Sequence, residues 1–496
     1  MTSSLIAAAT AAFGTGLTAG LAANGLAALA SCILQFGGMF PTRRAAVDGL
    51  SARRAVVSEM PQSPRPAPFV SVHVPTYDEP PELVIATLHS LAATTAADFE
   101  VIIVDNNTAD PTTWQPVALA AAALGRRFRF FHFDRVVGAK AGALNLALDL
   151  TDPRTTHVAV VDADYQVSAG FVADALAAFA DRGVDYVQFP QAYRHVAAVA
   201  RGVERELGDY FACFRGRAAR PGAMLPTGTL SMFTVEALRR VGGWSAVTIT
   251  EDAELGVRLQ AVGCKGLWLV DERGTGLLPL DFAGLAKQRA RWVAGNVQVL
   301  MAALRHCGAT APRLPLLALV VQLTAWVSFW LLPAAALALL AVVPGVADAA
   351  LARQLAAGTI VGSAILTAAR MFFVMPTPRH ELGAWGAAIA TRLALTWTAG
   401  TAWLPALTGR DLPFQRTAKQ LGDVTGARAG ARADGSFVSA VVFVCVAVAY
   451  AVWGEPVTAA ACVLLAAIWP CSLLVDANLR RSAHDNPELV GVACAA

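Results

Sequence analysis

The chain has 496 residues, of which 56% are hydrophobic and 15% are Asp, Glu, Lys or Arg, against about 25% charged residues in an average soluble domain. That balance excludes a disordered or nucleic-acid-binding tail protein and points to membrane-spanning segments. The net charge of +3 is too small to imply a polyanionic partner, and the eight cysteines form no C-x-x-C pair, so a reducing compartment without a zinc site or disulfide framework is expected.

The first element is an uncharged apolar run over residues 5–36, longer than the roughly 20 residues a spanning helix needs. It has no basic leader, which disfavours a cleaved signal peptide. Arg43, Arg44, Arg53 and Arg54 follow it directly, so by the positive-inside rule the chain emerges in the cytosol. Residues 37–283 have normal charge density and alternating patterns. Strands are expected over 69–75, 100–105, 128–133, 157–162 and 184–189. Helices are expected over 81–93, near 112–124, over 139–150 and near 169–181. Such alternation implies a mostly parallel sheet covered on both faces, with ligands bound outside the carboxyl ends of the strands.

Three polar groups fall at those ends: Pro75-Thr76-Tyr77-Asp78-Glu79, Asp105-Asn106-Asn107 and Asp162-Ala163-Asp164. No Gly-rich dinucleotide fingerprint or P-loop is present. Asp162 and Asp164 share a face in extended chain, and paired hard oxygen ligands suit Mg²⁺ or Mn²⁺ with a diphosphate. The plainer alternative is a solvated acidic turn. Thr250-Glu251-Asp252 precedes a helical stretch. It reads either as an N-cap with acids in the first turn or as a carboxylate placed to take a proton from a hydroxyl. Lys140 opens a helix, where a cation is useful only if an anion docks there. Gln288-Arg289-Ala290-Arg291-Trp292 puts Gln288, Arg291 and Trp292 on one helix face. The aromatic ring suits a sugar and the guanidinium a diphosphate, unless the helix simply anchors in headgroups.

Apolar runs return at about 314–346, 354–375, 384–407, 436–454 and 457–477. The polar loop 408–435 carries Arg410, Arg416, Lys419, Arg428 and Arg432 and is expected in the cytosol. An even number of spans must then separate residues 283 and 408. The run 384–407, with Arg392 at its centre and Trp385, Trp397 and Trp403 along it, is expected at the membrane surface. Pro333 divides 314–346, leaving a span over roughly 328–346. The organisation expected is an N-terminal span at 1–36, a cytosolic domain at 37–283 and interface helices at 284–330. Two spans follow at 331–376, then an interface helix and polar loop at 377–435, two further spans at 436–478 and a cytosolic tail at 479–496.

The order and spacing of these motifs resemble the processive membrane synthases of glycosyltransferase family 2, of which cellulose synthase is the best-known member. The resemblance runs from about residue 65 to residue 425. It implies an α/β GT-A cytosolic domain embedded in a helical multi-pass bacterial inner-membrane protein with amphipathic interface helices. It implies a UDP-sugar donor, UDP-glucose being usual, a divalent metal (Mg²⁺ or Mn²⁺), a β-linked glycan as acceptor and product, and the bilayer as partner. A second copy or an accessory protein would complete an export path, and no nucleic acid is expected. Carried over, Thr76, Tyr77, Glu79 and Asp105 hold the nucleoside, with Lys140 and Arg291 on the donor. Asp162 and Asp164 face the diphosphate and metal. Asp252 is the base, with Glu251 beside it. Gln288, Trp292, Gly228 and Thr229 meet the acceptor, and Phe414, Thr417 and Lys419 form a gating loop. Unlike cellulose synthases, the chain shows no regulatory domain after residue 477 and no extra span pair before the catalytic domain. Asp105-Asn-Asn-Thr108, Gly228-Thr229 and Gly276-Leu-Leu-Pro279 are closer to bacterial β-1,3-glucan-type synthases. The alternative is a transferase that adds one sugar to a lipid carrier or short acceptor.

Overall fold

The computed structural model describes residues 2–38, 68–95, 98–215, 224–310, 316–343, 346, 349–374, 382–407 and 435–489. Helix α1 (Thr2–Gly38) precedes the α/β part. There, seven strands lie in the order β3 (Phe128–Phe133), β2 (Phe99–Asn106), β1 (Val70–Thr76), β4 (His157–Val160), β8 (Ser231–Thr234), β6 (Tyr186–Gln188) and β9 (Gly266–Trp268). Pairs β1/β2, β1/β4, β2/β3 and β6/β9 are parallel, and β8 runs antiparallel to both β4 and β6. The sheet is therefore mixed, as in a GT-A fold. Every residue of β2 is buried, as a parallel strand covered on both faces must be.

Local chemistry sets the flanking helices. Pro81 opens α2 (Pro81–Ala92) and Pro111 opens α3 (Pro111–Ala123), where Asp110 accepts from the Thr112 N–H. Helix α4 (Ala139–Asp149) starts behind Gly138 at φ +89°. Helix α5 (Phe171–Arg182) ends at Gly183 with φ +58°. One face of the sheet packs Val70, Val72, Val74 and Ile103 against Leu88, Leu91 and Phe171. The other packs Val158, Val160, Tyr186 and Phe233 against Leu144, Leu255 and Trp268. Helices α6 (Arg201–Arg215), α7 (Val235–Arg240) and α8 (Glu251–Ala261) complete this part. A second, three-stranded sheet of β5 (Gln166–Val167), β10 (Gly274–Gly276) and β7 (Ala192–Tyr193) sits beside the aspartate pair.

Helix α9 (Phe282–Thr310) leads to the apolar elements α10 (Leu316–Leu323), α11 (Leu331–Val342), α12 (Ala349–Val374), α13 (Leu382–Ala394), α14 (Thr396–Thr401), α15 (Leu404–Leu407), α16 (Gly435–Val452), α17 (Pro456–Ala466) and α18 (Ile468–His484). Among the described residues, three helical stretches are long and apolar enough to cross a membrane: Thr10–Gln35, Ala349–Phe373 and Pro456–His484. The span expected over 328–346 is a helix of 12 residues, because residues 327–330 are not helical. The run 384–407 is three short helices rather than one, interrupted at Leu395 and again at Ala402 and Trp403.

Arg392, the charge inside that run, has protein partners. It lies 3.1 Å from Glu206 and 3.3 Å from Asp209. Glu206 also takes both guanidinium nitrogens of Arg289, at 2.9 and 2.7 Å, and Asp209 takes Arg370, which also reaches Gln35. One buried network thus joins α1, α6, α9, α12 and α13. Helices α6 and α13 approach closely enough for it because residue 202 is glycine: a Cβ there would lie 2.4 Å from the Ala387 Cβ. Burial pushes the Glu206 carboxyl up, but Arg289 and Arg392 outweigh it and hold it below the usual range.

Removing one partner from such a network strands the others. Glu206→Ala is expected to destabilise the protein by about 3–5 kcal/mol, seen as a large drop in melting temperature in detergent. Removal of the exposed Arg154–Asp152 pair is expected to change it by no more than about 1 kcal/mol.

Candidate active site

The loops at the carboxyl ends of β1, β2 and β4 open into a cavity of about 360 Å³. Four of the five non-glycine residues with positive φ among the described residues, Asp78, Asn107, Ala139 and Leu230, lie in loops around it, which is where strained backbone tends to collect. The cavity is lined by Tyr77 and Glu79 after β1, and by Asn106 and Asn107 where β2 ends. Asp162 and Asp164 line it after β4, as do Gly228 and Thr229 before β8, Glu251 and Asp252 at the start of α8, Lys140 of α4, and Gln288, Arg291 and Trp292 of α9. The sequence motifs, separated by up to about 215 residues, therefore share one chamber.

Lys140 is the link between them. Its Nζ donates to Asp162 Oδ1 at 2.5 Å and to the Gly228 carbonyl at 2.8 Å, and lies 3.7 Å from Glu251. Burial opposes its charge, but Asp162 and Glu251 outweigh burial and raise its pKa. Thr229 Oγ1 accepts from the Asp162 N–H, so the 228–230 turn is bonded to the aspartate strand end. Gly228 sits at φ +83°, and a Cβ there would lie 3.0 Å from Asp252 Oδ2. Both the backbone conformation and the space require glycine.

Asp252 is partly buried, and desolvation together with the Glu251 charge pushes its pKa up to about 7, against opposing pulls from Lys140, the Ala253 N–H and Arg291. That value suits a proton acceptor working near neutrality. Thr250 occupies the position before α8, but its hydroxyl does not cap the helix and is buried with no hydrogen-bond partner among the described residues. The capping interpretation of this motif is thus not realised; Thr250 lines the cavity beside Asp252, with its hydroxyl toward Gly295.

Among the described residues, five carboxylates line the chamber (Glu79, Asp162, Asp164, Glu251 and Asp252) against two cations, Lys140 and Arg291. Burial is the main influence raising the Asp162 pKa, and Asp164 and Glu251 add to it. A diphosphate would add further negative charge. Asp162 and Asp164 supply the hard oxygen atoms that suit a divalent cation. Among the described residues no third His, Cys, Asp or Glu completes a protein-only ligand set, which matches a metal held partly by phosphate and water.

Two expected contacts are placed differently. Thr76 and Asp105 face each other in the β1/β2 register and lie beneath the chamber floor rather than in its lining. Asp105 accepts from Thr76 at 2.9 Å, from Thr108 at 2.8 Å and pairs with His132 Nδ1 at 2.7 Å. The neighbouring Asn106 and Asn107 present themselves instead. Phe414, Thr417 and Lys419 lie outside the described residues. The sequence reading did not identify Tyr165, Gln191 or Tyr193, which also line the chamber. They arrive through the second sheet, whose strands are too short to announce themselves.

On the α9 side, Trp292 lies 5.4 Å from Trp326, centre to centre, and Tyr210 stacks on Trp326 at 4.4 Å. Arg289 sits 3.8 Å over Trp326. These rings border a small cavity of about 50 Å³ that shares Asp252 and Trp292 with the chamber. Trp326 also lines an apolar cavity of about 330 Å³ between α1, α12 and α13.

Residues 71–242 match glycosyl transferase family 2 and residues 157–361 match glycosyl transferase family group 2. The chain is 27% identical over 237 residues to glucomannan 4-beta-mannosyltransferase 2 of Arabidopsis thaliana, covering 46% of this chain and 44% of that protein. It is 27% identical over 260 residues to the UDP-forming cellulose synthase catalytic subunit of Xanthomonas axonopodis pv. citri, covering 48% and 33%. The chain thus spans less than half the length of either relative. The solved mannosyltransferase of Pyrobaculum calidifontis, in complex with GDP-Man and Mn²⁺, covers 80% of this chain and all of its own length at a TM-score of 0.50 and 22% identity, a likeness of fold. The matched regions, which together run over residues 71–361, and these relatives place that part of the chain with the family 2 glycosyltransferases, cellulose synthase-like members among them.

Proposed function

We propose that the protein is an inverting, membrane-embedded hexosyltransferase that extends a β-linked glycan from a UDP-hexose, UDP-glucose first among the candidates. The observation that carries this reading is the meeting of Asp162, Asp164, Lys140, Asp252, Arg291 and Trp292 in one chamber. Asp162 and Asp164 would hold a divalent cation, which supplies charge compensation to the diphosphate when bound. Tyr77, Glu79, Asn106 and Asn107 border the nucleoside end. Lys140 and Arg291 offset the charge that grows on the departing diphosphate. The acceptor hydroxyl, placed against Trp292 and Gln288, bonds to C1 of the sugar as its proton passes to Asp252. The bond from C1 to the phosphate oxygen breaks, and its electron pair leaves with the nucleoside diphosphate. A single displacement inverts the anomeric centre.

Growth and export of the glycan are supported by the series of cavities that share Trp292 and then Trp326. The apolar lining of the last cavity favours a second reading, in which a lipid-linked acceptor receives one sugar. The three long apolar helices support a multi-pass inner-membrane location in either case.

Asp252→Asn is expected to abolish transfer while donor binding by calorimetry survives. In the parent enzyme kcat/KM is expected to rise about tenfold per pH unit below about 7 and level off above it, because the base must shed its proton. Loss of donor binding together with transfer would sink the assignment. Radiolabelled UDP-glucose, other UDP-hexoses and GDP-mannose, each supplied to purified protein, are expected to yield a polymer from a UDP-hexose that a linkage-specific glucanase digests. A product of one sugar, extracted with lipid, would select the second reading, and polymer from GDP-mannose alone would overturn the donor assignment.

A further inference from the structure

The second sheet is too slight to stand unaided. Strands β5 and β7 are two residues each and β10 is three, well below the length of an ordinary strand. Yet Tyr165, Tyr193 and Leu277, which border these strands or lie in them, form a wall of the chamber. Asp164 stands two residues before β5.

One guanidinium holds these pieces together. Arg194 Nη1 donates to the Asp164 carbonyl at 2.7 Å and to the Thr275 carbonyl at 2.6 Å. The rest of its fork is taken by Glu488, with Nε at 3.1 and 3.0 Å and Nη2 at 2.9 Å. Glu488 also accepts from Gln166 Nε2 at 3.0 Å and lies 3.1 Å from His195 Nε2. The pair is largely enclosed, Arg194 being 8% and Glu488 23% exposed. Burial raises the Glu488 pKa, but Arg194, Gln166 and His195 outweigh it and bring the carboxyl below its ordinary range.

Glu488 follows α18, whose amino-terminal half is apolar and whose later part is docked on the catalytic domain. Asp476 accepts from the Phe282 N–H, Arg480 bridges Asp476 and Asp281, and Ser482 accepts from the Ala197 N–H. Leu489 and Ala483 pack with Leu83, Leu277 and Leu280. The last apolar helix is thereby connected, through two side chains, to the main chain from which Asp164 projects.

We propose that Glu488 is a positioning residue for the donor site: it orients Arg194, which sets the backbone of Asp164 and the wall carrying Tyr165 and Tyr193. The inference rests on the reading of the chamber given above and extends it to a residue about 320 positions further along the chain. Glu488 touches neither donor nor acceptor. It acts through Arg194 on the main chain that carries the Asp164 carboxylate, one step further out than the groups bonded directly to a metal ligand, whose loss typically weakens metal affinity by about 10–100-fold.

The test uses full-length protein in detergent, with Mn²⁺ titrated by electron paramagnetic resonance in the presence of saturating UDP and with donor kinetics at saturating acceptor. Glu488→Gln is expected to weaken Mn²⁺ binding by about tenfold or more and to raise the donor KM, with kcat close to the parent. Glu488→Asp is expected to recover part of both. Arg194→Lys keeps the charge but loses the fork, and is expected to reproduce the same split if Glu488→Gln fails to fold. Unchanged Mn²⁺ affinity and KM in a folded Glu488→Gln protein would overturn the inference alone. A fall in kcat and melting temperature with binding unaltered would reduce the contact to simple scaffolding and overturn it too. Parent protein that takes up no Mn²⁺ would overturn the reading of the chamber, and this inference with it.

Discussion

The site depends on one ammonium group. Lys140 binds the end of β4 through Asp162, the turn before β8 through the Gly228 carbonyl, and the start of α8 through Glu251. Those three segments come from different parts of the chain, and each brings a negative or electron-rich group. Without a central cation the carboxylates of Asp162, Glu251 and Asp252 would repel one another in a desolvated space. With it they can be packed closely, and the remaining excess of negative charge becomes the attraction for a divalent ion. The same arrangement produces the raised pKa of Asp252: burial and Glu251 push it up, while Lys140 restrains the rise. A single side chain therefore sets both the electrostatic appetite of the aspartate pair and the basicity of Asp252, the proposed donor and acceptor ends.

Much of this was legible in the sequence because strand ends announce themselves. Val-rich runs that stop in Tyr77-Asp78-Glu79, Asn106-Asn107 and Asp162-Ala163-Asp164 must place those groups at the carboxyl edge of a parallel sheet, and they do. The helix period of α9 likewise put Gln288, Arg291 and Trp292 on one side and left Arg289 for another, where it meets Glu206. What could not be read has a common cause. Asp105 looks like a ligand in sequence, but the hydrogen bonds that consume it come from Thr76, Thr108 and His132, and only the folded register reveals them. Tyr193 and Tyr165 depend on strands of two residues, below any periodicity. The Arg194–Glu488 contact joins residues 294 apart, and nothing local predicts it.

Arg392 illustrates the same boundary from the membrane side. A cation in an apolar run admits two explanations, a headgroup outside or a carboxylate inside. The sequence argument chose the surface because its partners, Glu206 and Asp209, sit on a helix about 185 residues earlier. In the structure these acids are 1% exposed and serve Arg289, Arg370 and Arg392 together. Burying so many charges seldom adds net stability compared with apolar packing. Its value here is geometric, since an ion network tolerates few alternative alignments.

That alignment has a consequence at the acceptor end. Arg289 is held by Glu206 and lies against the faces of both Trp292 and Trp326. The rings that border the acceptor cavities are thus positioned by the same network that ties α1, α12 and α13 to α6. On the opposite side of the chamber, Glu488 connects α18 to Asp164 through Arg194. The proposed donor and acceptor ends are therefore each tied by an arginine–carboxylate contact to a different group of apolar helices. A shift of these helices relative to one another would alter the spacing between Asp164 and Trp292, the two ends between which the sugar has to pass. Linkage at both ends would hold that spacing, which is what the proposed in-line displacement, with its demand for a fixed separation of attacking and leaving oxygens, requires.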